Sequence, residues 1–387
     1  MKILYISDVY FPRVNGVSTS IETFRQELTQ LGHTVHLIAP EYPGSEVVDR
    51  DIIRVPSRQL PFDPEDRLMK YGWVMAHLET LRAEHYQLIH IQTPFVAHYL
   101  GIKLSQLLAI PCIETYHTFF EEYLHHYIPL APRALLRATA RHFSRHQCNR
   151  LNGMVSPSQP MLEVLRAYGV NTLAEVIPTG LEPESFIPGK GHEFRDKYGI
   201  PQNRPVLLFV GRVAHEKNIS FLLQMTARVR KAVPKVLLVI AGAGPAREKL
   251  EQEAQGSGLS DNVLFIGYLD RHSELNSCYH CAEIFVFSSK TETQGLVLLE
   301  AMAQGVPIIS LAEMGTKEVL REGCGVWIAS EDDFSDKVIK LLGDSITRAN
   351  LGMAGLKYAM EWSATVMAER MLKFYAQVIE RKISVIA

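Results

Sequence analysis

Cysteine is scarce: five residues in a chain of 387, too few and too scattered for a disulfide framework. Cys278-Tyr279-His280-Cys281 is a lone C-x-x-C with no second pair nearby, expected in a helix ahead of a strand rather than on zinc or in redox chemistry. Cys112, Cys148 and Cys324 are expected as small core residues. Long apolar runs are missing too. None reaches the roughly 18 residues that a membrane span needs. The first residues, Lys2-Ile3-Leu4-Tyr5-Ile6-Ser7-Asp8, read at once as a strand and not as a signal peptide. The expected location is cytoplasmic, peripheral on the inner face of the cell membrane. Net charge is only −2 and balanced in both halves, so nothing global points to nucleic acid. No repeat of fixed period and no low-complexity tract occurs. A G-x-G-x-x-G after the first strand is also lacking, and Gly242-Ala243-Gly244-Pro245 is too short for one. That argues against a dehydrogenase and for a tight strand-to-helix loop. Asp49-Arg50-Asp51 mimics a D-x-D metal motif, but it stands in a polar stretch far from the other motifs.

What is present is alternation. Short apolar runs at 2–7, 34–39, 87–91, 111–115, 153–155 and 174–177 are expected as strands, followed by 205–210, 235–241, 262–266, 283–287, 307–310 and 324–328. Segments of helical period separate most of them, which predicts an α/β protein with doubly wound, mostly parallel sheets. A chain of this length with 47% apolar residues exceeds one domain and can fill two cores. The turn-rich stretch from Pro178 to Gly191 is the expected hinge. Two Rossmann-like domains, residues 1–180 and 181–363, are therefore expected to face each other across a cleft, with ligands at the carboxyl ends of the strands. A last helix over about 364–382 spaces Val366, Met367, Met371, Phe374, Tyr375 and Val378 for amphipathic packing.

The chemistry gathers in Glu292-Thr293-Gln294-Gly295-Leu296-Val297-Leu298-Leu299-Glu300. Upstream, Ile284-Phe285-Val286-Phe287 reads as a buried parallel strand. The order is thus strand, polar loop with Glu292, and a helix that opens near Gly295 and carries Glu300. The free N–H groups and dipole of that helix start form an anion site. The flanking carboxylates suit two sets of sugar hydroxyls, which points to a nucleotide sugar. The plainer reading makes them helix caps and dipole partners, with Glu300 paired to a Lys or Arg. Arg212 and Lys217 flank a short loop after the strand ending at Val210. Cations there can stabilise a departing diphosphate, by about 4 kcal/mol per charge pair at ~4 Å and intermediate dielectric before desolvation. Gly16 lies in the loop after the first strand, where a side chain would obstruct backbone approach to an anion. The alternative is a simple turn glycine. Asn15 beside it tolerates left-handed geometry. His117 directly follows the strand Pro111–Thr115.

Three motifs occur in order: Pro12-Arg13-Val14-Asn15-Gly16-Val17, Gly211-Arg212-Val213-Ala214-His215-Glu216-Lys217-Asn218, and the E-x7-E spacing of Glu292 and Glu300. Together they make nearly the whole chain resemble glycosyltransferase family 4. The resemblance implies the GT-B fold, an acceptor-binding domain at 1–180, a nucleotide-sugar domain at 181–363, and a final helix, 364–387, that packs back onto the first. It implies that Arg212 and Lys217 hold the diphosphate, joined by the amides of Gly295 and Leu296. It further implies that Glu292 binds sugar hydroxyls, that Glu300 binds the ribose diol, and that His117 orients or stabilises the reacting group beside the donor sugar. Many members have two glycines where this chain has Asn15-Gly16. The family's favoured course is retaining, a front-face displacement in which the leaving diphosphate assists the acceptor hydroxyl. No cofactor and no catalytic metal is expected.

For the acceptor, residues 131–150 carry Arg133, Arg137, Arg141, Arg145 and Arg150, with His142 and His146 and no acid. At helical period the first four arginines span an arc of about 120°, with Leu136, Ala140 and Phe143 on a different side. Such a helix suits an anionic membrane surface; the alternatives are a solvated face or arginines that cap neighbouring loops. The stretch Tyr116-His117-Thr118-Phe119-Phe120-Glu121-Glu122-Tyr123 resembles the acceptor-side loop of bacterial diacylglycerol α-glucosyltransferases, as does Thr291-Glu292-Thr293-Gln294-Gly295. That likeness places Tyr116, Phe119, Phe120 and Tyr123 on the acceptor or membrane side. It implies transfer of a hexose, glucose, from a UDP-sugar to a membrane lipid hydroxyl, diacylglycerol. A lipopolysaccharide, polysaccharide or soluble acceptor is the alternative within the family. A noncatalytic nucleotide-sugar sensor or scaffold is the alternative of another class. Base recognition is expected from the backbone around Tyr268-Leu269.

Overall fold

The computed structural model describes residues 1–13, 15–43, 49–60, 63–117, 133–270, 274–289, 295–312 and 316–386. For residues 60, 63–66, 133–137, 317, 318, 385 and 386 it describes the backbone alone. Two compact units divide the chain: Met1–Gly180 together with Ala364–Ala387, and Leu181–Ser363.

The first unit holds β1 (Lys2–Ile6), β2 (Thr34–Pro40), β3 (Ile52–Val55), β4 (Ser57–Leu60), β5 (Asp63–Met69), β6 (Leu88–Ile91), β7 (Cys112–Thr115), β8 (Gly153–Ser156) and β9 (Ala174–Val176). Seven of these form a parallel sheet in the order β3-β2-β1-β6-β7-β8-β9. Side chains alternate across it as the strand period demands. Ile3 and Tyr5 join the core beneath the helices Gly16–Gln30 and Ala364–Ile386, while Leu4 and Ile6 join the core beneath Tyr71–Ala76, Leu78–Ala83 and Val96–Leu108. The final helix buries Met367, Met371, Phe374, Tyr375 and Val378. Val366 is 36% exposed and lies off this stripe, contrary to its expected place in it. The helix rests on bare backbone at Gly153, where a Cβ would come within 2.9 Å of Phe374 Cζ and Val378 Cγ2.

The antiparallel pair β4–β5 was not expected from the sequence. Asp63-Pro64-Glu65-Asp66-Arg67 offers neither an apolar run nor alternation. Backbone pairing carries the hairpin, and Met69 anchors its end in the core.

The second unit holds β10 (Val206–Val210), β11 (Leu237–Ala241), β12 (Val263–Gly267), β13 (Ile284–Phe287), β14 (Ile308–Leu311) and β15 (Val326–Ala329). They form a parallel sheet in the order β12-β11-β10-β13-β14-β15. β10 and β11 are buried at every position, as expected for a parallel strand covered on both faces. Cys278 and Cys281 are buried at the end of the helix Leu275–His280 and serve as core, as Cys112 and Cys148 do in the first unit. Cys324 is only half-buried, because the turn that carries it precedes β15 at the surface. Among the described residues no helix is long and apolar enough to cross a membrane.

Each sheet has one point where the strand order reverses, between β1 and β6 in the first unit and between β10 and β13 in the second. Connections leave these neighbouring strands in opposite directions, which opens a crevice at their carboxyl ends.

Candidate active site

In the second unit the two loops at the reversal point carry the expected donor residues. Backbone bonds fix the loop after β10: Gly211 N donates to Ala241 O, Val213 N to Ala243 O and Ala246 N to Val213 O, each at 3.0 Å. This stacking of two loops requires Gly242, at φ 143°, where a Cβ would lie 1.9 Å from the Gly211 carbonyl oxygen. Arg212 is exposed on the loop, and Lys217 is half-buried at the end of the short turn His215–Lys217. Ser288, fully buried just past β13, shares its hydroxyl between the carbonyls of Lys217 (3.2 Å) and Asn218 (3.0 Å). The segment bearing Lys217 is thereby tied to the end of the strand that leads to the other motif.

Glu292 lies outside the described residues. Gly295 sits at φ 76°, a left-handed conformation that favours glycine, and opens the helix Leu296–Ala303. That helix is buried on nearly all sides, with Leu298, Leu299, Ala301, Met302 and Ala303 in the core. A carboxylate in such a helix is costly unless it is hydrogen-bonded. Glu300 is 6% exposed, and its Oε2 accepts a hydrogen bond from the Tyr279 hydroxyl at 2.7 Å. The Tyr279 phenol is thus one of its partners.

In the first unit, Asn15 caps the helix Gly16–Gln30, its side chain accepting from Ser18 N at 2.8 Å. The backbone of Asn15 is extended (φ −153°, ψ 174°), so the left-handed geometry considered for it does not occur. Gly16 is the first residue of the helix rather than a loop residue. Its φ lies outside the left-handed region, and an added Cβ would meet nothing within 4 Å. Nothing in the fold demands glycine there, which removes the turn reading.

His117 is half-buried past the end of β7, with Nε2 3.3 Å from Gln92 Oε1. Burial pushes its imidazole down to about 4, so the ring is neutral near pH 7. A buried chain of hydrogen bonds runs below this strand end: Tyr5 and Tyr375 hydroxyls at 2.9 Å, Tyr375 to His90 Nδ1 at 2.7 Å, and His90 Nε2 to Thr115 Oγ1 at 2.7 Å. At the reversal point, the Asp8 carboxylate accepts from Thr93 Oγ1 (2.8 Å) and from the Ala97 amide (3.1 Å). It thus caps the helix Val96–Leu108 from the loop after β1. Burial pushes Asp8 up to about 6 in spite of these bonds.

The acceptor-side expectations divide. Tyr116 is a core residue, 4% exposed, with its hydroxyl 2.8 Å from Ser144 Oγ, and does not belong to an exposed acceptor face. It stands at the strand end, where the pleat turns it under the helix Arg133–Cys148. Phe119, Phe120 and Tyr123 lie outside the described residues, as do the side chains of Arg133 and Arg137. Arg141 and Arg145 are exposed. Arg141 stacks over the Tyr168 ring at 5.3 Å, and the Arg145 stem passes 3.0 Å from where a Gly169 Cβ would be. The Arg141 guanidinium and the Arg145 stem therefore lie against the end of the helix Gln159–Ala167, and both residues remain exposed. Asp49 of the D-x-D stretch accepts from Arg25 Nη2 at 2.8 Å and from the Asp51 amide at 2.9 Å. Among the described residues no cluster of three His, Cys, Asp or Glu is placed to hold a metal ion.

Sequence reasoning missed Gln92, Asp8 and Tyr279. Each stands at or near a strand carboxyl end or in a helix beside the site, but its partner comes from a distant segment, so spacing alone gave no signal.

Comparison with known proteins supplies the family. Residues 14–185 match the model described as Glycosyltransferase Family 4, and residues 191–358 match Glycosyl transferases group 1. An alpha-monoglucosyldiacylglycerol synthase of Streptococcus pneumoniae is 36% identical over 80% of this chain and 71% of its own. A GDP-mannose-dependent alpha-mannosyltransferase of Mycolicibacterium smegmatis is 26% identical over 99% of both chains. The solved structure of Anabaena HepE in complex with UDP superimposes with a TM-score of 0.76 at 17% identity, covering 97% of this chain and 100% of that one, a likeness of fold.

Proposed function

We propose that this chain, which belongs to glycosyltransferase family 4 and is a hexosyltransferase of the GT-B fold, transfers glucose from UDP-glucose to the hydroxyl of diacylglycerol. The family assignment removes the noncatalytic sensor. The observation that carries the donor reading is the pairing, at one reversal point, of a cation-bearing loop after β10 with an anion-ready helix after β13. The pneumococcal relative, a glucosyldiacylglycerol synthase by name, supports glucose and diacylglycerol.

In this reading the diphosphate lies against the amides of Gly295 and Leu296, with Arg212 and Lys217 holding its charge. Glu300 accepts from the ribose diol, and Glu292 from the sugar. Backbone around Tyr268 and Leu269 meets the base. Gly16 gives its open space to the approach of the diphosphate. His117, being neutral, orients a sugar hydroxyl by hydrogen bonding and adds no full charge. The acceptor oxygen attacks the anomeric carbon on the face from which the diphosphate departs, and the proton passes to the leaving oxygen, so configuration is retained. The positive charge comes from Arg212 and Lys217, and no metal or cofactor is assigned. The exposed residues Arg141 and Arg145 favour an anionic membrane surface on the cytoplasmic side, where the lipid tail stays in the bilayer.

The mannosyltransferase relative, matched over nearly the whole chain, favours a second reading with GDP-mannose as donor. Each nucleotide sugar, radiolabelled, is offered with micelles of diacylglycerol or phosphatidylinositol in an anionic lipid. Label from UDP-glucose in a diacylglycerol product is expected. Label from GDP-mannose alone replaces both donor and sugar.

A further inference from the structure

We propose that Tyr279 is a positioning residue: it fixes Glu300 and so sets the selectivity for a donor whose ribose carries both vicinal hydroxyls. The inference rests on the assignment of Glu300 to the ribose. Tyr279 is fully buried near the end of the helix Leu275–His280, in the connection from β12 to β13, with its ring 5.7 Å from that of Phe285. Its hydroxyl donates to Glu300 Oε2 at 2.7 Å across two different helices. A glutamate on a helix otherwise samples several rotamers and must lose that freedom when ligand binds. Here a rigid aromatic side chain holds it in advance.

The chemistry of the donor matters as much as its geometry. An ionised carboxylate has about four acceptor positions. The phenol takes one of them and holds the carboxylate in place for two neighbouring hydroxyls. The tyrosine of the C-x-x-C stretch thereby gains a role that its two core cysteines lack.

The test compares kcat/KM for UDP-glucose and for its 2′-deoxyribose counterpart in the wild type, Tyr279→Phe, Glu300→Gln and the double variant. Tyr279→Phe is expected to raise the KM for the ribose donor about tenfold. Turnover at saturating donor and the acceptor KM are expected to stay within about twofold, and the ribose-to-deoxyribose ratio to fall by about the same tenfold. Glu300→Gln is expected to lower that ratio as well, and adding Tyr279→Phe to it to change nothing more. Equal losses on both donors in Tyr279→Phe, with the ratio intact, would overturn the inference, because a merely structural tyrosine behaves that way. A ratio left intact by Glu300→Gln would overturn the ribose assignment itself, which is a separate failure. Thermal melting confirms folding of each variant. Should Tyr279→Phe not fold, 3-fluorotyrosine at position 279 keeps the shape with a stronger donor. It is expected to widen the ratio, and an unchanged ratio overturns the proposal. If GDP-mannose proves to be the donor, the same comparison uses its 2′-deoxyribose counterpart.

Discussion

Gly16→Ala separates what the fold needs from what the ligand needs. The residue opens a helix, its φ lies outside the left-handed region, and an added Cβ would meet nothing within 4 Å. Alanine is the better helix former, and where the backbone is already compatible it stabilises by about 0.4–1 kcal/mol through the unfolded chain. For a unit of this size that is a rise of about 1–4 °C in Tm. The same methyl group fills the space through which the backbone is assigned to approach the diphosphate. A displacement of about 1 Å at a reacting centre costs on the order of 100-fold in rate. Melting and sugar transfer measured on the same preparation should therefore move in opposite directions, with Tm held or raised and kcat/KM down about 100-fold. Unchanged transfer would refute the assignment of Gly16. A lowered Tm would refute the reasoning about the fold, since the methyl group would then be meeting something within the chain.

Lys217→Ala should lower turnover by about 10²–10³-fold, the usual loss for one donor to developing negative charge. Its Tm should change little, because backbone bonds and the Ser288 hydroxyl hold the loop; a collapse of Tm with proportionate loss of activity would assign Lys217 to the fold. Asp8→Asn should alter how stability depends on pH. Burial raises Asp8 to about 6 in the folded chain, so its contribution is fully present below the ordinary carboxylate range and is lost as pH rises through about 6. The variant, which keeps a carbonyl acceptor for Thr93 and Ala97, should gain about 3 kcal/mol relative to wild type between about pH 4 and pH 7, read by denaturant titration at each pH. A difference that does not change with pH would contradict burial as the cause.

Strand positions were legible because both sheets are parallel and covered on both faces, which turns each strand into a short apolar run such as Val206-Leu207-Leu208-Phe209-Val210. The hairpin β4–β5 was illegible for the converse reason: charged residues form it through backbone pairing. Asn15 and Gly16 were readable as a special pair, but their division of labour, one a cap and the other an open position, depends on where the helix begins. Tyr116 and His117 are adjacent in sequence, yet one is pinned under a helix by Ser144 and the other reaches Gln92, a difference that only the pleat and the packing decide. Glu300 could be placed on its helix from spacing alone. Its phenol partner stands 21 residues upstream and became visible only with the packing of two helices.

The central claim is that the loops after β10 and β13 hold a nucleotide sugar for transfer to a lipid. It is tested most directly by radiolabelled UDP-glucose presented with mixed micelles of diacylglycerol and an anionic lipid, wild type beside Glu292→Ala. Label that enters the organic phase with wild type and is absent with the variant is the predicted result. Label that enters equally with both would contradict the assigned site, and UDP release without any lipid product would contradict the acceptor.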